Sequence, residues 1–166
     1  MCSSFFVHHL ERVPCHNDLQ PRNLIFLGDS FKAIDYEEAS QGDPYYDIAT
    51  VANGFCYQPE HELVLLKTYL GRAPSELELA KLYCMKRVAW IFWALAFLKM
   101  VPEQLSQYAR TTVPSFIDFM RQMGSGAINL DNPEHKLKFA KVLINRAIVD
   151  RESQEFRDAT NMLSKN

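Results

Sequence analysis

Apolar and polar residues follow more than one rhythm along this chain, and each rhythm predicts an element. Residues 24–27 and 31–34 are short apolar or β-prone runs on either side of Gly28-Asp29-Ser30, and the glycine-led turn between them predicts a small hairpin. From Pro44 the spacing becomes helical, with Tyr45, Ile48, Ala49, Val51, Ala52 and Phe55 on a 3.6-residue period, which predicts a helix to about residue 56. Pro59-Glu60 opens another helix through Leu63, Leu66, Tyr69 and Leu70. Gly71 ends it, because glycine accepts the left-handed conformation that closes a helix.

Ser75-Glu76-Leu77-Glu78 is a capping box, a serine followed three residues on by a glutamate. It starts a long helix predicted to run to residue 100, where Pro102 stops it. Between residues 88 and 98 this helix is apolar nearly all round, which predicts a place at the centre of the domain. Shorter helices follow over 102–109 and 114–123, and Gly124-Ser125-Gly126 makes a break. From Pro133 to about residue 149, Leu137, Ala140, Leu143, Ile144, Ala147 and Ile148 share a face, and Phe156, Ala159, Met162 and Leu163 continue the pattern past Asp150. This predicts a helical hairpin or one long bent helix, either packed on the domain or binding a partner. The fold class expected is therefore mainly α with a small β-hairpin, organised as residues 1–126 and a C-terminal helical extension, 127–166, packed on them.

Composition narrows the class. A chain of 166 residues, 48% hydrophobic and 12% aromatic, can bury a core as one domain. A net charge of −2 offers no basic surface for nucleic acid. Cysteines 2, 15, 56 and 84 lack metal-ligand spacing, so they read as free thiols of a cytoplasmic protein. The N-terminus lacks the pattern of a signal peptide. The apolar run 88–98 is bracketed by Lys86, Arg87 and Lys99 and falls short of the roughly 18 residues a membrane helix needs.

Candidate chemistry concentrates in residues 15–35. Cys15-His16-Asn17-Asp18-Leu19-Gln20-Pro21-Arg22-Asn23 precedes the hairpin, and Asp35 follows its second strand. Phosphoryl transfer needs positioning and charge neutralisation more than covalent help. A carboxylate must hold the hydroxyl nucleophile, and hard cations with oxygen ligands must bridge the phosphates. Asp18, Asn23 and Asp35 carry such groups, and a fold-back hairpin brings Asp35 close to Asn23. Plainer roles stand beside these. An Asp or Asn in a loop is often a turn former or cap, and Asp43 before Pro44 reads as a helix N-cap. His16 reads as a hydrogen-bonded structural histidine rather than a proton-transfer group, because Asp18 already fills the base role. Glu37 and Glu38 are either solvated or attract a cationic substrate.

His16, Asp18, Leu19 and Asn23 match the H-R-D-L-x-x-x-N pattern of a kinase catalytic loop except at the arginine, which is Asn17. With Ile34-Asp35-Tyr36-Glu37-Glu38-Ala39 and Gly42-Asp43-Pro44-Tyr45-Tyr46-Asp47-Ile48-Ala49, the chain resembles the choline/ethanolamine kinase and aminoglycoside phosphotransferase family. The resemblance is firm over residues 13–50 and looser to about residue 100. It implies that Asp18 is the catalytic base or orienting group and that His16 supports the loop. Asn23 and Asp35 would hold Mg2+ and through it ATP, and Asp47 would tie the following helix to the catalytic segment.

Trp90, Phe92, Trp93 and Phe97 read first as core aromatics. Phe92-Trp93-Ala94-Leu95 also resembles the stretch in which choline kinases cage a quaternary ammonium, which would make Trp93, with Glu38, a substrate contact. Ala96 stands where that family often has a second tryptophan, so an amine or amino alcohol other than choline stays open.

A kinase of this family also needs a strand-rich lobe with a phosphate-binding lysine before the loop. Residues 1–15 hold neither. The expectation is the C-terminal, helical lobe of a protein-kinase-like fold with its N-terminal lobe absent, and residues 1–13 as the tail of a helix leading to the loop. Such a chain is either an ATP-dependent kinase lobe for a small hydroxyl substrate or an inactive remnant serving as an interaction module. Apolar surface uncovered at the lobe interface would promote homo-oligomers.

Overall fold

Each predicted helix begins or ends where a local signal sits, and the hairpin closes at its glycine. A computed structural model describes residues 12–165. The helical tail expected over residues 1–13 lies outside the described residues except at its end, where Val13 is already extended. Strand β1 (Val13–Cys15) pairs antiparallel with β4 (Ser40–Gly42), and β2 (Leu24–Phe26) pairs with β3 (Phe31–Ala33) as the hairpin. The turn of the hairpin places Gly28 at φ 77°, and the Leu27 amide donates to the Ser30 carbonyl at 2.8 Å. A single 3-10 turn, Pro21–Asn23, leads into β2.

Six helices follow: α1 (Pro44–Phe55), α2 (Pro59–Leu70), α3 (Glu76–Lys99), α4 (Phe116–Gly124), α5 (Pro133–Val149) and α6 (Gln154–Ser164). Asp43 caps α1 by accepting from the Tyr45 amide, with Pro44 at the first helical position. Gly71 ends α2 at φ 68°. Residues 102–107 form a 3-10 turn rather than the predicted α-helix, and a second such turn, Asp150–Glu152, separates α5 from α6.

The described chain divides into two compact units, and the boundary falls inside α3, after Lys86. The first unit contains both strand pairs, α1, α2, the first half of α3, and α6. Here α1 packs on α2 and on β1, and Ala159, Met162 and Leu163 of α6 pack on Ala80, Tyr83 and Cys84 of α3. The second unit, residues 87–153, has a core of its own. Phe119 of α4 stacks on Phe139 of α5 at 5.2 Å, with Trp90 and Ala94 of α3 in the same cluster. This boundary differs from a split at residue 126, because α5 shares a core with α4 while α6 returns to the first unit.

The second half of α3 is buried on one side only. Ala89, Trp90 and Ala94 are buried, whereas Val88, Ile91, Phe92 and Leu95, at i, i+3, i+4 and i+7, form an exposed stripe. The expectation of all-round burial is corrected: continuous hydrophobicity does not distinguish the side that faces the core.

Candidate functional site

The loop between β1 and the 3-10 turn is fastened from beneath by α1. Asp47, in the first turn of α1, accepts hydrogen bonds from the amides of His16 (2.7 Å) and Asn17 (2.8 Å). One carboxylate thus fixes two consecutive peptide planes just before Asp18. Asn17 takes the left-handed conformation at φ 64°, which asparagine tolerates better than most residues. Its side-chain Nδ2 donates to the Glu38 carbonyl and to Ser40 Oγ, both at 2.9 Å. Gly42, paired with Val13, leaves room there: a Cβ would lie 3.2 Å from Asn17 Oδ1.

His16 is buried behind the loop. Its Nε2 lies 2.9 Å from the Ile34 carbonyl, which can only accept, so Nε2 carries the proton and Nδ1 accepts from the Asp18 amide at 3.3 Å. Both ring nitrogens serve the loop's shape, and the ring packs against Tyr36 with centroids 4.4 Å apart. Burial, reinforced by the Asp47 charge, pushes the Cys15 thiol above its ordinary range, which keeps it a thiol rather than a nucleophilic thiolate.

The structure brings Asp18 and Asn23 together directly. Asn23, 4% exposed, donates from Nδ2 to Asp18 Oδ2 at 2.7 Å and to the Asp18 carbonyl at 3.0 Å. With Nδ2 committed, Oδ1 is the end of Asn23 that can meet a cation. Gln20 Nε2 lies 2.9 and 2.7 Å from the two oxygens of Asp18. Asp35 is placed by the hairpin: the Ile34 amide donates to the Asn23 carbonyl at 3.0 Å, extending the register beyond Leu24↔Ala33. Asp35 is exposed and left-handed at φ 66°, an uncommon conformation that for a non-glycine residue marks a position worth explaining by function.

Among the described residues no three His, Cys, Asp or Glu side chains gather as a metal site. The oxygens that the loop and hairpin offer are instead one carboxamide, Asn23 Oδ1, and one exposed carboxylate, Asp35. That set fits Mg2+, which binds through one or two protein oxygens and takes its remaining ligands from phosphates and water. The other expected residues are placed differently. Glu38 contributes its backbone carbonyl to Asn17, and its side chain is exposed. Trp93 belongs to the second unit, partly buried against that unit's core.

Three features escape the sequence reading. One is the β1–β4 pair, and another is the grip of Gln20 on Asp18. The third is Gly54 of α1, where a Cβ would stand 2.6 Å from Pro21 Cγ, so a glycine is what lets the helix touch the 3-10 turn carrying Asn23. A glycine inside a helical pattern is the one signal that could have pointed to such a close approach.

Residues 5–81 match the APH model, the phosphotransferase enzyme family. That match takes in a little under half of the chain. Protein LicA of Haemophilus influenzae is 32% identical to it over 90 residues, covering 48% of this chain and 33% of LicA. A homoserine kinase of Rhodopseudomonas palustris is 35% identical over 89 residues, covering 49% of this chain and 27% of that kinase. The crystal structure of a choline/ethanolamine kinase family protein from Mesorhizobium loti superposes with a TM-score of 0.72 at 17% identity, over 99% of this chain and 47% of that one. The chain thus matches about a third or less of the curated relatives and about half of the solved structure. The mostly helical fold with a small hairpin, expected for the C-terminal lobe of a kinase-like protein, is the fold observed. Among the described residues no helix is long and apolar enough to cross a membrane.

Proposed function

We propose that this chain is the catalytic lobe of an ATP-dependent small-molecule kinase that phosphorylates a hydroxyl of an amino alcohol. The observation that carries the reading is Asn23, whose carboxamide nitrogen donates to Asp18 and whose backbone carbonyl accepts from the amide of Ile34, the neighbour of Asp35. One residue links the base to the cation site. Asp18 would accept the proton of the acceptor hydroxyl as a hydrogen bond and aim its oxygen for in-line attack. Asn23 Oδ1 and Asp35 would hold Mg2+, which when bound neutralises the phosphate oxygens. Asp47 and His16 would keep the loop in shape without touching substrate.

The substrates for which these relatives are named support the acceptor class. Homoserine, choline and ethanolamine each combine a hydroxyl with an amine or ammonium group, and the exposed Glu37 and Glu38 offer negative charge for such a head group. Cys15, Cys56 and Cys84 form no disulfides, which supports a cytoplasmic site of action. Exposed apolar side chains on the hairpin, Phe26 and Phe31 among them, support self-association, to be read by light scattering at several protein concentrations.

Calorimetric titration with ATP, with and without Mg2+, tests the reading. Mg2+-dependent binding that Asn23→Ala and Asp35→Ala abolish, while Asp18→Ala keeps it, is the expected result. No heat at millimolar nucleotide would leave a lobe that retains the fold without turnover, the interaction-module alternative.

A further inference from the structure

Between Val13 and Phe31 the chain carries a single lysine or arginine, Arg22. It is the middle residue of the 3-10 turn Pro21–Asn23, and both of its neighbours are fixed. Pro21 is pressed against Gly54 of α1, and its carbonyl accepts from the Leu24 amide. Asn23 is buried, with its carboxamide nitrogen 2.7 Å from Asp18 Oδ2. The Arg22 Cα stands one peptide step, about 3.8 Å, from that of Asn23, so a braced turn sets its place close to the base. The side chain itself is uncommitted. Arg72 and Arg121 pair with carboxylates, whereas Arg22 is exposed and forms no hydrogen bond or ion pair among the described residues.

The charges around it are mostly of the other sign. Residues 13–38 hold five acids, Asp18, Asp29, Asp35, Glu37 and Glu38, and one other cation, Lys32, which stands in mid-strand opposite Ile25. Such a stretch attracts an ammonium and repels an anion. The phosphates of a nucleotide would be met by Mg2+ on Asn23 and Asp35. An anionic group on the acceptor has no such partner, and Arg22 is the cation set beside Asp18 that can supply one. A guanidinium suits a carboxylate in particular, because its planar fork donates two parallel hydrogen bonds to the two oxygens.

We propose that Arg22 is a specificity-determining residue: its guanidinium binds a carboxylate on the acceptor and selects a hydroxy amino acid, an amino alcohol with charges of both signs, over one that is only cationic. This rests on Asp18 being the residue that receives the acceptor hydroxyl. The two charged ends of the substrate are then recognised separately, the ammonium by the acids that follow the hairpin and the carboxylate by the turn that precedes it.

The test compares homoserine, which carries the carboxylate, with ethanolamine, which lacks it. On the whole chain, kcat/KM is measured for each acceptor with Mg-ATP, and binding of each acceptor alone is measured by calorimetry. The variants are Arg22→Ala, Arg22→Lys and, as a control for charge at a distance, Lys32→Ala; thermal melting confirms that each folds. Wild type should favour homoserine. Arg22→Ala should lower the homoserine-to-ethanolamine ratio roughly 10- to 100-fold, in kcat/KM and in binding alike. Arg22→Lys should recover part of that loss, since it restores the charge without the fork, and Lys32→Ala should keep the wild-type ratio. A wild type without preference for homoserine overturns the proposal, as does an unchanged ratio in Arg22→Ala. An equal fall in Lys32→Ala would trace the preference to the general field rather than to a contact and overturns it too. So does a loss shared by both acceptors with a raised KM for Mg-ATP, which would assign Arg22 to the nucleotide. Preferential binding of homoserine that depends on Arg22, in a chain that turns over neither acceptor, would count against the kinase reading and leave the carboxylate contact standing.

Discussion

The amides of His16 and Asn17 both end on the Asp47 carboxylate, at 2.7 and 2.8 Å, so removing that carboxylate strands two donors in a partly buried loop. Each unsatisfied buried donor costs about 1–3 kcal/mol. Asp47→Ala is therefore expected to lower stability by about 2–4 kcal/mol in urea unfolding, with the midpoint shifted and the slope kept. Asp47→Asn, which retains one acceptor oxygen, should lose less. At Gly54 two effects compete. Alanine is favoured over glycine in a helix by about 1 kcal/mol, but its Cβ would meet Pro21 Cγ at 2.6 Å and Cδ at 2.8 Å, and a proline ring cannot swing aside. Overpacking of this kind costs about 1–3 kcal/mol, so Gly54→Ala should be net destabilising by thermal melting and should weaken Mg-ATP binding by moving the turn that carries Asn23. The acids and the amide of the site are legible in the sequence because their chemistry is written in residue type. Gln20 and Gly54 are not, since a donor aimed at Asp18 and a missing Cβ under Pro21 exist only once the loop lies on α1.

Elements were legible wherever a local signal set their ends. The capping box at the start of α3 is formed in full: the Ser75 amide donates to Glu78 Oε2 at 2.7 Å, and the Glu78 amide donates to Ser75 Oγ at 3.3 Å. Arg72 adds a two-pronged pair to the same carboxylate. The Arg72 hydrogen bond first, and then those from Ser75, hold the Glu78 carboxyl down at about 2, below the ordinary 4.5. A depressed carboxyl stabilises the fold fully above the unfolded value and loses that contribution as pH falls toward the folded one. The stability difference between wild type and Glu78→Gln should therefore be constant near neutral pH and shrink between about pH 4.5 and pH 2, as followed by urea unfolding at several pH values. Ser75→Ala should remove about 1 kcal/mol at neutral pH. The pairing of β1 with β4 gave no comparable signal, because Val13 meets Gly42 across the whole loop and hairpin. Nor does periodicity tell which side of α3 faces a core, since Phe92 and Leu95 are as apolar as Trp90 and Ala94 yet lie exposed.

At the scale of the whole molecule, both ends of the described residues belong to one unit. Residues 12–86 and α6 form the first unit, while the segment between them builds its own core. Joining distant segments means that the unit carrying Asp18, Asn23 and Asp35 is completed by a helix far from them in sequence. Ala159 of α6 is buried against Ala80 and Cys84, flanked by Met162 and Leu163. A carboxylate placed there would be buried among apolar side chains, and burying an unmatched polar or charged group costs about 1–3 kcal/mol or more in proteins. Ala159→Asp is thus expected to destabilise by about 2 kcal/mol or more. Asn161→Asp, exposed on the same helix, should stay within about 0.5 kcal/mol. Hydrogen exchange locates the damage: protection should fall in residues 76–86 and in α6, while α4 and α5, which share the Phe119–Phe139 stack, keep theirs. Equal loss along both units would mean that they unfold as one, and unchanged protection over residues 76–86 would mean that α6 contributes nothing to the unit that holds the site.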